Sequence, residues 1–379
     1  MAPETGRARI LLVTDGPATE TADGGGELAL GIAGCLPEPE FTCFTRWPEH
    51  RGGRRPSVDR TLPVLVRGGA PSGAPQRLQT AVASALFSRR FDALHVVMSV
   101  GSSFPAFSRW WARAVAGTPV VHTVPGITDP AALAGARPLG RTVAVCGATA
   151  AELAAAGFGE VVVIPPVVPS AVPPGPWRLK PRELGPVPVA LVVESGDGDG
   201  GLQDAVSAVA AASAAGAVRL VVLLRARPGR RAAAREAAVR RHAVRQGLLD
   251  TVVCSGITDV DRLLGIADAL LFLPRDGAGG VDCPSVVLQA LAVGRPVVLT
   301  GLPRFAGLRG AVLSVTPGDP DRAGQVLREL LDRPWWWESV AGQGKELAGE
   351  LFSGEVARAR YERLYRAVGV WAQEVPRRP

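Results

Sequence analysis

Lysine is nearly missing from this chain of 379 residues. Of its 42 basic side chains only Lys180 and Lys345 are lysines, which leaves 40 arginines. GC-rich codon usage produces that bias, so arginine abundance alone says little about nucleic acid. Cysteine and histidine are scarce as well. Cys35, Cys43, Cys146, Cys254 and Cys283 form no Cys-x-x-Cys pair, and the four histidines are equally scattered. This excludes a disulfide-built miniprotein and argues against a zinc site, so the thiols are expected to pack as small hydrophobes. Long apolar runs are also absent. The longest uncharged stretch, residues 161–177, holds six prolines, and residues 205–218, mostly alanine, are short for a bilayer. Only four apolar residues in a row precede Asp15, too few for a signal peptide, so a cytoplasmic location is expected.

With 47% hydrophobic and 20% charged residues, the chain has the composition of a globular protein. Its length suggests two domains at a prior of roughly 150 residues each. The net charge of +7 suits an anionic membrane surface or a phosphate-bearing substrate. No nucleic-acid motif and no basic stripe interleaved with aromatics occurs, so nucleic acid is not an expected partner.

Runs rich in β-branched residues alternate with alanine-rich helical stretches, the pattern of an α/β fold with parallel sheets. Residues 9–14 (RILLVT) read as a first strand, followed by a glycine loop through Gly24, Gly25 and Gly26 and a helix from Glu27. Further strands are expected at 62–66, 93–98, 119–123, 142–146 and 160–164. Each is a continuous apolar run suited to a strand covered on both faces. Seven prolines in residues 168–188 then break the rhythm. A second series follows, with VALVVE from Val189, RLVVLL from Arg219, TVVCSG from Thr251, ALLFLP from Ala269 and RPVVLT from Arg295. The expected organisation is a Rossmann-like domain at 1–168, a proline-rich linker at 169–188, a second Rossmann-like domain at 189–353, and a C-terminal helix at 354–379 crossing back to the first domain. In that helix Val356, Tyr361, Leu364, Tyr365 and Val368 are expected inward. Two such domains facing a cleft bind ligands at the carboxyl ends of their strands.

The order of segments resembles the retaining glycosyltransferases of family 4 (group 1), which have the glycosyltransferase-B fold. RILLVTDGPATETADGGGELAL resembles the family's opening strand, glycine loop and first helix. RTVAVCGATAAELAAAGFGEVVVIPPVV resembles a strand–helix–strand segment ending in Ile-Pro-Pro-Gly. LLGIADALLFLPRDGAGGVDCPSVVLQALAVGRPVVLTGLP resembles the signature region, and GAVLSVTPGDPDRAGQVLRELL the segment before the final helices. The resemblance implies a nucleotide-sugar donor, no metal or other cofactor, and a hexosyl-type transfer to an acceptor such as a cell-surface glycan, a lipid or a small molecule. Positive groups and helix N-termini would stabilise the departing diphosphate.

Laid on the family pattern, the donor motif is degenerate. Val281 and Gln289 stand at the two Glu positions of the Glu-x7-Glu motif, and Ser195 and Gly200 stand at the Arg and Lys positions. Pro125 falls near the position of an N-domain histidine, with His122 three residues away. The resemblance assigns no catalytic residue. It offers Asp282, Ser285, Val286 and Gln289 for the donor. Asp282 either accepts from sugar hydroxyls or caps the helix that starts near Pro284. Gln289 either meets the ribose or lies on a helix surface. The Ser285 and Val286 amides either hold phosphate or simply open a helix. Gly24, Gly25 and Gly26 either admit a ligand closely or form a tight turn. Arg275 and Arg304 are candidates for the missing phosphate charge, against the alternative of solvated arginines. The aspartates of the acidic glycine loop at 196–201 could hold a metal, but the resemblance implies none, so they read as solvated.

Trp335, Trp336 and Trp337 are expected to anchor the C-terminal helices, with stacking on a sugar as the alternative. Between Arg225 and Arg245 eight arginines face one acid, Glu236. They form either a solvated helical face or a peripheral contact with anionic lipid or a lipid-linked acceptor. Two functions are open: a glycosyltransferase with a modified donor site, or a catalytically inactive glycosyltransferase-like protein that serves as partner or scaffold.

Overall fold

The computed structural model describes residues 7–14, 24–47, 58–66, 74–115, 117–168, 187–194, 201–224, 229–255, 260–275 and 282–370. Most of the proposed linker, residues 169–186, lies outside them, as do the acidic residues Asp197 and Asp199 and the signature position Val281. The described residues form two compact units. One holds those up to 167 together with Asp282 and residues 354–370. The other holds those from 168 to 275 and from 283 to 353.

The first unit is a seven-stranded parallel sheet in the order β3-β2-β1-β4-β5-β6-β7. Its strands are β1 (Arg9–Thr14), β2 (Glu40–Trp47), β3 (Arg60–Val66), β4 (Ala93–Val97), β5 (Val120–Val124), β6 (Arg141–Ala144) and β7 (Val161–Val163). Helices α1 (Gly24–Cys35), α2 (Ala74–Phe87), α3 (Phe104–Ala114), α4 (Gly147–Ala155) and the C-terminal α11 (Gly354–Ala367) complete it. The central strands β1 and β4 are buried along almost their whole length, which is why the sequence writes them as unbroken apolar runs. Edge strand β3 carries Pro63, and its pairing with β2 shifts register between Thr45 and Arg46. A residue without an N–H is tolerated at an edge.

The second unit is a six-stranded parallel sheet in the order β10-β9-β8-β11-β12-β13. It is built from β8 (Val189–Glu194), β9 (Arg219–Leu224), β10 (Thr251–Ser255), β11 (Ala269–Phe272), β12 (Val297–Thr300) and β13 (Leu313–Val315). Its helices are α5 (Leu202–Ser213), α6 (Arg230–Arg245), α7 (Val260–Ile266), α8 (Ser285–Ala292), α9 (Pro320–Asp332) and α10 (Pro334–Phe352). The core is aliphatic: Ala190, Val192, Leu220, Val222, Leu271 and Val298 are all buried.

Three expectations change. The glycines at 24–26 are not a loop: helix α1 begins at Gly24, with Glu27 in its first turn complementing the helix dipole. Trp335 is largely exposed and does not join the core; Trp336 and Trp337 do pack against it, and the Trp337 indole N–H donates to the Asp268 carbonyl at 2.7 Å. In α11 the buried set is Ala357, Tyr361, Leu364 and Tyr365, while Val356 and Val368 are half-buried. Strands β2 and β13 escape sequence reading because β2 mixes Thr and Arg with its aromatics and β13 spans only three residues.

Candidate functional site

In a doubly wound sheet the strand order reverses once, and the loops leaving the strand C-termini part at that point. In the second unit the reversal falls between β8 and β11. Gly201 enters helix α5 there with φ +66°, and a Cβ on it would overlap the carbonyl oxygen of Leu273, which follows β11. Only glycine fits this position. One strand further, the Thr300 hydroxyl at the end of β12 donates to the Pro274 carbonyl at 2.8 Å. The chain after β11 is thereby packed against the start of α5 on one side and bonded to the end of β12 on the other.

Two buried carboxylates lie on this side of the unit. Glu194, the last residue of β8, accepts from Arg235 Nε at 2.7 Å. Asp204, in the first turn of α5, takes Arg275 in a two-pronged pair, Nε to Oδ2 at 2.8 Å and Nη2 to Oδ1 at 2.6 Å. Arg275 was a candidate for the missing phosphate charge. Its guanidinium is instead matched by a carboxylate, which leaves less of its field for a ligand. Arg304 lies half-buried in the 3-10 turn Pro303–Leu308 that follows β12.

Helix α8 follows β11 and carries three of the expected donor residues. Pro284 precedes it in extended conformation with no side-chain cap, and its carbonyl accepts from the Val287 and Leu288 N–H groups at 3.0 and 3.3 Å. The N–H groups of Ser285 and Val286 lie nearer the helix start, where the helix dipole favours an anion. Val286, Val287, Leu288, Ala290 and Leu291 point into the core, whereas Ser285 and Gln289 are half-buried. Four residues apart, these two share one face of the helix.

Asp282 is placed differently. It belongs to the first unit, where it is buried, its N–H donates to the Pro125 carbonyl at 2.9 Å, and its carboxylate accepts from the Thr149 hydroxyl on α4. His122, on β5, is a core residue. It stacks on Phe104 with ring centroids 5.4 Å apart, and its Nε2 donates to the Met98 carbonyl at 3.1 Å. Burial pushes its pKa down to about 4, against the opposing pull of that hydrogen bond.

The arginine-rich segment becomes α6, and part of its charge is used inside the unit. Arg235 serves Glu194, while Arg240 binds Glu236 and the Val253 carbonyl. Among the described residues no group of three or more His, Cys, Asp or Glu side chains is placed to hold a metal ion. Nor is any described helix long and apolar enough to cross a membrane. Gly201, Thr300 and Asp204 are the residues that sequence reasoning did not single out. Of these, only Gly201 left a trace, as the last glycine of the acidic run.

No family model and no curated protein matches the sequence. Solved structures do match, at low identity and along nearly the whole chain. HepE of Anabaena, in complex with UDP-glucose, superposes with TM-score 0.71 at 14% identity, covering 95% of this chain and 100% of that one. Sucrose-phosphate synthase from Thermosynechococcus elongatus gives 0.72 at 17%, covering 95% and 98%. A glycosyltransferase from Rickettsia africae gives 0.69 at 13%, covering 96% and 99%. With its two doubly wound parallel sheets, the chain has the glycosyltransferase-B fold.

Proposed function

We propose that this chain is a glycosyltransferase that moves a sugar from a nucleoside-diphosphate sugar to an acceptor, with the donor at the C-terminal edge of the second sheet. The observation that carries this reading is the match over the full length of HepE, whose structure holds UDP-glucose. In the reaction the bond from the anomeric carbon to the diphosphate breaks, and the departing diphosphate gains negative charge. The start of α8 suits that charge: the Ser285 and Val286 amides hold phosphate through backbone N–H groups, which need no particular side chain. One turn on, Gln289 offers its amide to the ribose hydroxyls. The resemblance to family 4 adds the finer reading of hexosyl transfer with retention and without a metal ion.

Calorimetry with UDP, GDP and ADP, each alone and as a nucleotide sugar, tests the proposal, together with donor hydrolysis. Binding of one nucleotide is expected. Gln289→Ala weakens it roughly fivefold, the loss of about one neutral hydrogen bond, while Gln289→Glu preserves or improves it. No heat with any nucleotide, together with no hydrolysis, would sink the proposal. A second reading, an inactive relative that scaffolds an active transferase, would then take its place. It is favoured by the Asp204 carboxylate already occupying Arg275.

A further inference from the structure

The first unit carries an apolar stripe that its own core does not use. Helix α2 turns Arg77, Thr80, Ala81 and Ser84 inward but leaves Leu78 58%, Val82 42% and Leu86 73% exposed. A spacing of four residues sets these three along one line of the helix. The neighbouring helix α3, joined to α2 where Arg77 Nη1 donates to the Ser103 hydroxyl at 3.0 Å, exposes Trp110. Scattered single apolar residues on a surface need no explanation, but an aligned set does.

The helical elements that carry the stripe and Trp110 bear charge of one sign. Neither α2, nor the 3-10 turn Ser88–Arg90, nor α3 contains an acidic residue. Arg89, Arg90, Arg109 and Arg113 are exposed, and among the described residues none of them pairs with a carboxylate. Arg90 instead lies over the Phe87 ring at 5.3 Å. The next acid along the chain, Asp92, accepts from the Arg9 backbone N–H at 2.7 Å. Helix α6 also exposes Arg230, Arg241 and Arg245, but it contains an acid, and its Arg235 and Arg240 are engaged by Glu194 and Glu236.

We propose that the α2–α3 face docks on an anionic lipid surface. Leu78, Val82, Leu86 and Trp110 enter the interfacial layer, and Arg89, Arg90, Arg109 and Arg113 meet headgroup phosphates. A second copy of the chain fits this face poorly, since a two-fold contact would bring like charges together. Nucleic acid would leave the aliphatic stripe without a partner. The inference does not depend on sugar transfer, and nucleotide titration and vesicle binding can fail separately.

The test is sedimentation of the full chain with vesicles of phosphatidylcholine alone and of phosphatidylcholine mixed with phosphatidylglycerol. Binding to the mixed vesicles, weakened by salt, is expected, with none to the neutral ones. Arg89→Gln/Arg90→Gln and, separately, Leu78→Glu/Leu86→Glu should each lower binding at least ~10-fold, with unchanged melting curves because these side chains are exposed. Arg241→Gln/Arg245→Gln, on α6, should leave binding as it was. Equal binding to neutral vesicles, no binding at all, or loss with the α6 variant alone would overturn the proposal. So would a dimer in light scattering that Leu86→Glu splits into monomers.

Discussion

In the first unit the strands themselves carry His95, His122, Thr123 and Thr142 into the interior, whereas in the second the buried charges stand at element ends, Glu194 closing β8 and Asp204 opening α5. The first unit meets part of its interior polarity with a specific network, while Thr80 Oγ1, the Trp111 indole nitrogen and His122 Nδ1 are buried without a hydrogen-bond partner among the described residues. His95 Nδ1 meets the Tyr365 hydroxyl at 2.6 Å and Nε2 meets the Thr123 hydroxyl at 2.8 Å, while Thr123 contacts the Tyr361 hydroxyl at 3.4 Å. Tyr361 and Tyr365 are the only tyrosines of the chain, and α11 presents both to one histidine. A neutral imidazole donates from one nitrogen and accepts at the other, so the network fixes which residues α11 must set against the sheet. The second unit keeps an aliphatic interior and gathers polarity at strand ends, where an α/β fold meets its ligands. The contrast separates polarity that locates a helix from polarity that surrounds a candidate site.

The largest expected effect lies at the second unit's strand edge. Gly201→Ala adds a Cβ against the Leu273 carbonyl at a positive φ, so a loss of at least ~3 kcal/mol is expected, seen as a lower urea midpoint or insoluble protein. A variant as stable as the parent would show that the edge can yield. Tyr365→Phe comes next. It leaves a buried His95 nitrogen unpaired and should cost ~1–3 kcal/mol in urea unfolding, whereas Trp335→Phe, at an exposed position, should cost almost nothing.

Acid should separate the units more gently. Burial, helped by the charge of His122, pushes the His95 pKa down to about 3, and burial holds His122 at about 4. Unfolded histidines take up protons below roughly pH 6.5 while these two stay neutral, so the unfolded state binds more protons in that window. The stability they confer is complete above it and drains away as pH falls from there toward 4. Denaturation series at pH 7 and pH 4.5 check the slope, and His122→Gln should flatten it. A slope identical in the variant would remove His122 from the account.

The smallest change expected is Asp204→Asn. Because Arg275 is more than half exposed, the pair should contribute no more than ~1 kcal/mol to stability. Removing this negative charge should nonetheless raise nucleotide affinity several-fold in calorimetry, since less of the guanidinium's charge is then offset and a charge-assisted bond to phosphate is strengthened. Unchanged affinity would mean that Arg275 stands away from the donor, and that the second unit's edge charges only hold the fold.

Much of the fold was legible in the residues themselves. A strand buried on both faces must be apolar throughout, so RILLVT, VALVVE and RLVVLL announced β1, β8 and β9. A helix that leans on a sheet must repeat its apolar residues every three or four positions, which exposed Tyr361, Leu364 and Tyr365 as the inner side of α11. These are local consequences of backbone periodicity, and the chain carries them wherever it goes. The site was legible only in part. Ser285 and Gln289 could be placed on one helix face from their spacing, but the partner of Arg275 lies 71 residues earlier, and nothing near Arg275 in the chain names Asp204. The same holds for His95, whose hydroxyl partner on α11 is 270 residues away. The three glycines at 24–26 looked like a loop because glycine permits any backbone, and only the tertiary setting chose the helix. Whether Leu78, Val82 and Leu86 are core or surface likewise had no local signature, because burial depends on what the rest of the fold places over a helix face. Periodicity is a property of neighbours in sequence; pairing, exposure and neutralised charge are properties of neighbours in space.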